Sequence, residues 1–270
     1  LQNKGYELEI RSTNIETKDF RWSTSLNLGH NANKILKLDG DLKQVTSGTS
    51  IHKVGLPYST YYMIEFAGID PADGEPMFYK NTTDENGNLN KETTKDPRSA
   101  EKVILQCADP TITGGLGNSI SYKWFDLGLT FTYSLGGYSF DKTGTLIETD
   151  GSKEKSYNLP VYALDRWQKP GDRTDVPRFV LEQGAGPQNS SRYIHSTDHI
   201  RLKNLTVGFT LPGQWTQKAL IENARIYFSG SNLLTWAKWK QYDPEVPVNG
   251  EVFCEAPPMR TFNFGVEITF

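Results

Sequence analysis

From Thr261 to the end of the chain, side-chain character alternates without a break. Phe262, Phe264, Val266, Ile268 and Phe270 share one parity, and Thr261, Asn263, Gly265, Glu267 and Thr269 share the other. In an extended chain successive side chains leave opposite sides, so a period of two predicts a strand with one apolar and one polar face. The pattern recurs upstream. In "GYELEI" Tyr6, Leu8 and Ile10 oppose Glu7 and Glu9; in "FRWSTSLNL" Phe20, Trp22, Leu26 and Leu28 oppose Arg21, Ser23, Ser25 and Asn27. "NSISYKW", "LTVGFTL" and "RIYFSGSNLLTW" alternate too, and "DLGLTFTYSLG" sets Leu127, Leu129, Phe131, Tyr133 and Leu135 against Gly, Thr and Ser. Seven strands are predicted, near 5–12, 19–30, 115–124, 126–137, 198–211, 224–236 and 260–270, with no sustained helical periodicity. In "HIRLKNLTVGFTLP" the apolar parity changes near Asn204, which predicts a β-bulge.

The apolar face has to be covered. Five large side chains over 127–135 are together worth about 10 kcal/mol once removed from water. A second sheet would cover them in a soluble β-sandwich, and lipid would cover them in a membrane barrel. Alternation alone fits both. The connections favour lipid, because they alternate short (11–19, 123–126, 212–224) with long (31–113, 138–197, 237–259). In an up-and-down sheet that places short turns at one end and long loops at the other, as in outer-membrane barrels. Trp22, Trp124, Phe125, Trp215, Tyr227 and Phe270 all fall toward the short-turn end, where an interfacial aromatic girdle belongs; the competing reading is ordinary core packing.

Composition narrows the classes. With 29 basic and 32 acidic residues among 270, the net charge of −3 gives no footing for nucleic acid. No run of 18 apolar residues could cross a membrane as a helix, and the first residues show no signal-peptide pattern. Cys107 and Cys254, the two cysteines, could bridge in an oxidising compartment or remain thiols.

Candidate chemical motifs are weak. His195 and His199 in "HSTDH" have the spacing of a helical zinc pair but enter a strand, where residues four apart lie about 13 Å from each other, so no metal is expected. "GGLGNS" lacks the lysine of a phosphate loop and opens a strand. "DENGN" lacks the glycine and closing glutamate of a calcium loop and reads as a turn. "DPADGE" is turn chemistry as well, although Asp70, Asp73 and Glu75 could hold a surface cation. No paired carboxylates, nucleophile elbow or Cys–His pair supports catalysis, and no cofactor is called for. The candidate ligand surface is aromatic: Trp167 with Asp165 and Arg166, and Trp236, Trp239 and Tyr242 with Asp243. Flat rings there could pack on sugar faces with the polar groups bonding hydroxyls, or the rings could pack the loops against one another.

Together the segments "GLPYSTYYMIEFAGIDPADGEPMFY", "DPTITGGLGNSISYKWFDLGLTFTY", "DRWQKPGDRTDVPRF", "RLKNLTVGFTLP", "RIYFSGSNLLTWAKWKQYDPE" and "RTFNFGVEITF" resemble the SusC/RagA type of TonB-linked outer-membrane transporters. The resemblance runs over nearly the whole chain. It implies an all-β, antiparallel up-and-down transmembrane barrel of 22 strands with an N-terminal plug, of which this chain would be a C-terminal piece of about seven strands with extracellular long loops. It also implies import of oligosaccharides or peptides, a capping SusD-like lipoprotein, energy from the TonB complex, and a closing-strand aromatic, Phe270, at the periplasmic boundary that the assembly machinery reads.

Overall fold

The structure, a computed structural model, describes residues 1–85, 87–148, 150–152, 157–181, 189–217, 220–245 and 249–270. Seven strands form one antiparallel sheet in chain order: β1 (Gln2–Glu16), β2 (Phe20–Lys34), β3 (Ile112–Tyr122), β4 (Phe125–Leu135), β5 (His199–Thr210), β6 (Asn223–Ala237) and β7 (Thr261–Thr269). Each pairs with its chain neighbour, which is a meander rather than the two packed Greek-key sheets of a sandwich.

Register gives the sheet its two characters. One row across all seven strands reads Ile15, Trp22, Ile120, Leu127, Val207, Phe228 and Phe264. The adjacent row reads Thr13, Ser23, Ser119, Gly128, Thr206, Ser229 and Asn263. Because pairing preserves the face, the strand-by-strand alternation becomes one apolar surface and one surface of small polar groups. The apolar surface is not covered by protein: Phe264 is 82% exposed and Phe125 54%.

Bulges adjust this register. Lys203 is the extra residue in β5 opposite β4, between Leu202 and Asn204, so the expected parity change is a bulge that keeps Ile200, Leu202, Leu205 and Val207 on one face. β6 answers with a bulge of its own, Asn232 and Leu233 lying opposite Lys203 with Asn232 at φ +55. The sequence did not indicate the bulge at Asn14 in β1, which returns Ile15 to the apolar row beside Trp22. β1 therefore continues well past the expected residue 12, and the first short connection shrinks from 11–19 to Thr17–Asp19. Thr17 closes it, its hydroxyl accepting from the Phe20 N–H at 3.1 Å. The β3–β4 turn is two residues, Lys123 and Trp124, with Lys123 at φ +53.

Tyr227 departs from the expected girdle. It pairs with Gly208 and Gly265 on the polar face, and its ring occupies the space a Gly265 side chain would need. The alternation "RIYFS" alone shows this: Tyr227 shares parity with Arg225 and Ser229, not with Ile226 and Phe228.

The long connections are not irregular. They carry three small sheets: 44–47, 50–53, 60–64 and 102–107; 66–69, 76–79 and 93–94; and 138–141 with 194–196 and 251–252. The last joins the second and third connections, and a bridge between Ile64 and Ser190 joins the first and second. Tyr61, Met63, Phe140 and Tyr193 form their common core. Tyr61, 1% exposed, donates to the Gly250 carbonyl at 2.6 Å, with the Tyr138 carbonyl at 3.2 Å, so one hydroxyl from the first connection touches the other two.

Candidate functional site

The polar face is lined by short side chains because neighbouring strands put glycine where a larger residue would collide. A Cβ on Gly117 would meet the Ser25 hydroxyl at 2.5 Å, and one on Gly208 would meet the Asp126 carboxylate at 2.3 Å. Over β1–β4 the result is an open polar trough of about 690 Å³ edged by Glu9 and Arg11. Toward the short-turn end Arg225 donates twice to Asp126, at 3.1 and 2.8 Å, lies 3.7 Å from Glu267 and sits over the Tyr227 ring. Such a wall is polar and carries charges of both signs.

At the long-loop end the third connection is tied to the polar wall by charge. Arg201, 1% exposed on β5, makes a bidentate pair with Asp243, 2.7 Å to each oxygen, and reaches Glu245 at 3.3 Å. Lys203, at the bulge, holds the same glutamate at 3.1 Å. Two cations against two carboxylates balance, which an arginine this deeply buried requires. Asp243 is therefore a structural counter-ion in this arrangement, not a free acceptor for a hydroxyl.

The ring residues are also committed. Trp239 is 4% exposed and stacks with His195 (centroids 4.7 Å, planes 15° apart) and with Tyr242 (5.8 Å, 27°). At that exposure the ring presents little surface to a sugar. Tyr242 donates its hydroxyl to the Glu255 carbonyl. Burial holds the His195 imidazole down to about 4, so it is neutral at pH 7. His199, also buried, uses Nδ1 on the Thr197 carbonyl at 2.8 Å. Trp167 lies against Gly74, whose φ of +75 turns the backbone over the indole, and its N–H donates to the Pro71 carbonyl at 3.0 Å. Trp167 and Trp239 thus each pack against a segment of another loop connection. Trp236 lies on the apolar face of β6, 6.5 Å from Phe131, not in a ligand loop. Asp165 and Arg166 remain exposed.

The other motifs resolve into turns and pairs. Lys95 occupies the place of a surface cation, 2.7 Å from Asp70 and 2.5 Å from Asp73, and Arg178 takes Glu75 at 2.6 Å. Asp84 accepts from the Asn88 N–H, as a turn requires; Asn86 lies outside the described residues. Cys107 and Cys254 are free thiols. Reasoning from sequence missed a buried cluster in the second connection. Arg192 pairs with Asp150 at 2.5 Å and with Glu148 at 3.4 Å, and Tyr162 donates to Glu148. Burial pushes both carboxyls up against the pull of Arg192. Its signal, three charged residues spread over 148–192, is indistinguishable in sequence from a solvated surface.

No family model matches the chain. TonB-dependent receptor P3 of Formosa agariphila is 30% identical over 295 aligned positions, covering 100% of this chain and 29% of the receptor. TonB-dependent receptor SusC of Bacteroides thetaiotaomicron is 28% identical, again over 100% of this chain and 26% of its own length. The solved structure of the RagAB peptide transporter superposes with a TM-score of 0.85 at 29% identity, covering 99% of this chain and 29% of that one. The chain thus spans less than a third of the length of the relatives it matches.

Proposed function

The chain belongs to the SusC/RagA-type TonB-dependent receptors, and from that premise we propose that it supplies part of the wall and the outward loops of an importer for oligosaccharides or peptides. The observation that carries this reading is the pair of rows across the sheet, one wholly apolar and uncovered, the next wholly small and polar. Lipid covers the first and solute passes along the second. The long connections face outward and meet a SusD-like lipoprotein, the short turns face the periplasm, and the TonB complex acts through a plug outside these residues. Around the short turns Trp22, Trp124, Phe125, Trp215 and Phe270 form the inner aromatic girdle, joined by Phe20, Tyr122 and Phe209, with Phe125 and Phe209 in contact at 4.7 Å. The exposed Asp165 and Arg166 remain the candidates for substrate contact; Trp167, Trp239, Tyr242 and Asp243 shape the loops that present them.

The test is labelling of single cysteines in intact cells expressing the full-length protein. Positions in 35–60 and 157–181 should react with a membrane-impermeant reagent and crosslink to a surface lipoprotein, and positions in 212–217 should not. Reaction at 212–217 alone would invert the orientation. A binding screen of the full-length protein with its lipoprotein, against glycans and peptides, assigns the substrate class.

A further inference from the structure

We propose that the cleft beside the upper end of β6 binds a phosphorylated lipid of the outer leaflet. This cleft, about 870 Å³, lies between the last residues of β6 and the 257–260 segment and is lined by Trp236, Lys240, Tyr242 and Arg260.

Position is the first argument. On the apolar face Ile226 pairs with Phe209, at the girdle level of the short turns. Ten residues further along β6 comes Trp236, but with its bulge this run spans the same height as eight residues of β4, Phe125 to Tyr133. That is roughly 26 Å along the strand at 3.3 Å per residue, and about 20 Å across the bilayer at the tilt of about 40° usual in such barrels, against an apolar band of about 25 Å. Trp236, 53% exposed, therefore stands close to the far boundary of the hydrocarbon, where indoles settle.

Charge is the second. Lys240 and Arg260 are exposed and have no acidic partner among the described residues, while most neighbouring cations are paired: Lys238 with Asp198, Arg201 with Asp243, Lys203 with Glu245. The carboxylate that lines the cleft, Asp243, is held by Arg201 and cannot neutralise them. Two unpaired cations at a bilayer boundary attract an anionic headgroup.

The third is what lies below. Leu234 is 49% exposed and Phe262 59%, and Phe262 stacks on Phe228 at 6.3 Å, so an open apolar strip continues from the cleft into the membrane-facing surface. A free phosphate needs only the cations. An amphiphile with phosphate above acyl chains uses cations, indole and strip at once, and that is the occupant the site fits.

The inference rests on the outward orientation of the long loops for the leaflet, and its test is independent of sidedness. Full-length transporter in detergent is titrated with bisphosphorylated lipid A and bound lipid is counted by native mass spectrometry. Removing both charges, Lys240→Gln with Arg260→Gln, should weaken binding roughly thirtyfold, about fivefold for each charge. Lys240→Arg with Arg260→Lys should retain it, and Lys37→Gln with Lys43→Gln on the first connection should leave it unchanged. Dephosphorylated lipid A should bind the native protein as weakly as the phosphorylated form binds the double-Gln variant. Equal binding by the native and double-Gln proteins overturns the proposal, as does displacement of the lipid by equimolar inorganic phosphate. Labelling of the long loops from the periplasmic side, with lipid binding intact, would overturn the orientation alone and move the same site to the inner leaflet.

Discussion

At the scale of single residues, glycines and buried rings set what can be changed. Tyr227 lies across Gly265, whose Cβ would sit 2.3 Å from the ring. Gly265→Ala should therefore lower the stability of the full-length barrel by about 1–3 kcal/mol, the usual cost of overpacking. Tyr227→Ser in the same chain should restore most of it, read as the urea midpoint of unfolding from detergent. His195 makes a pH-dependent contribution. Its folded-state value of about 4 lies below the ordinary 6.5, so the unfolded chain binds more protons between those limits. Stability from this residue is complete above pH 6.5 and declines as pH falls toward 4, by about 2 kcal/mol for a half-buried ring. Thermal unfolding of native and His195→Phe proteins at pH 7.5 and 4.5 should show the smaller loss in the variant.

At the scale of elements, the two faces make opposite predictions for neighbouring positions on one strand. Leu129 pairs with Asn118 and Leu205 on the apolar face, and Thr130 with Gly117 and Asn204 on the polar one. Arginine at Leu129 should cost about 2–4 kcal/mol near the bilayer midplane. Arginine at Thr130 should leave folding nearly unchanged, since that face meets water. Folded barrel recovered in outer-membrane fractions separates the two. This is also the scale at which sequence was most informative. Period-two alternation located all seven strands, and the parity change in β5 located the bulge at Lys203. It failed at Asn14, because Ser12, Thr13 and Asn14 are all polar and a parity change among them leaves no mark. It failed differently at Trp239 and Asp243. Aromatic and acidic residues in a polar loop look the same whether they face a ligand or each other, and only the partners, His195, Tyr242 and Arg201, decide. Two of those partners lie about forty positions away in sequence.

At the scale of the molecule, the sheet ends on β1 and β7, 15 and 9 residues long, each paired along one edge and open along the other among the described residues. Open edges of that length, beside an uncovered apolar face, template association. These 270 residues produced alone in water should aggregate, and a cooperative, reversible melt of a monomer would contradict that. The loop side behaves as a unit as well. Tyr61→Phe removes a hydroxyl shared by three connections; the Gly250 carbonyl keeps the Phe140 N–H at 2.8 Å and the Ser139 hydroxyl at 3.0 Å, so the cost is the net hydrogen bond, about 0.5–1.5 kcal/mol. Limited proteolysis of the full-length protein should then cut faster in all three connections, not only in the one that carries the change. The same shared core bears on how specificity could be engineered or could drift. A sheet built from 138–141, 194–196 and 251–252 cannot be inherited piecemeal. A chimera that exchanges one connection with a relative would import a strand without its partner and a tyrosine without its acceptor. Recombination at this rim should succeed when the three segments travel as a set, so that the unit of exchange for changing cargo is the whole crown.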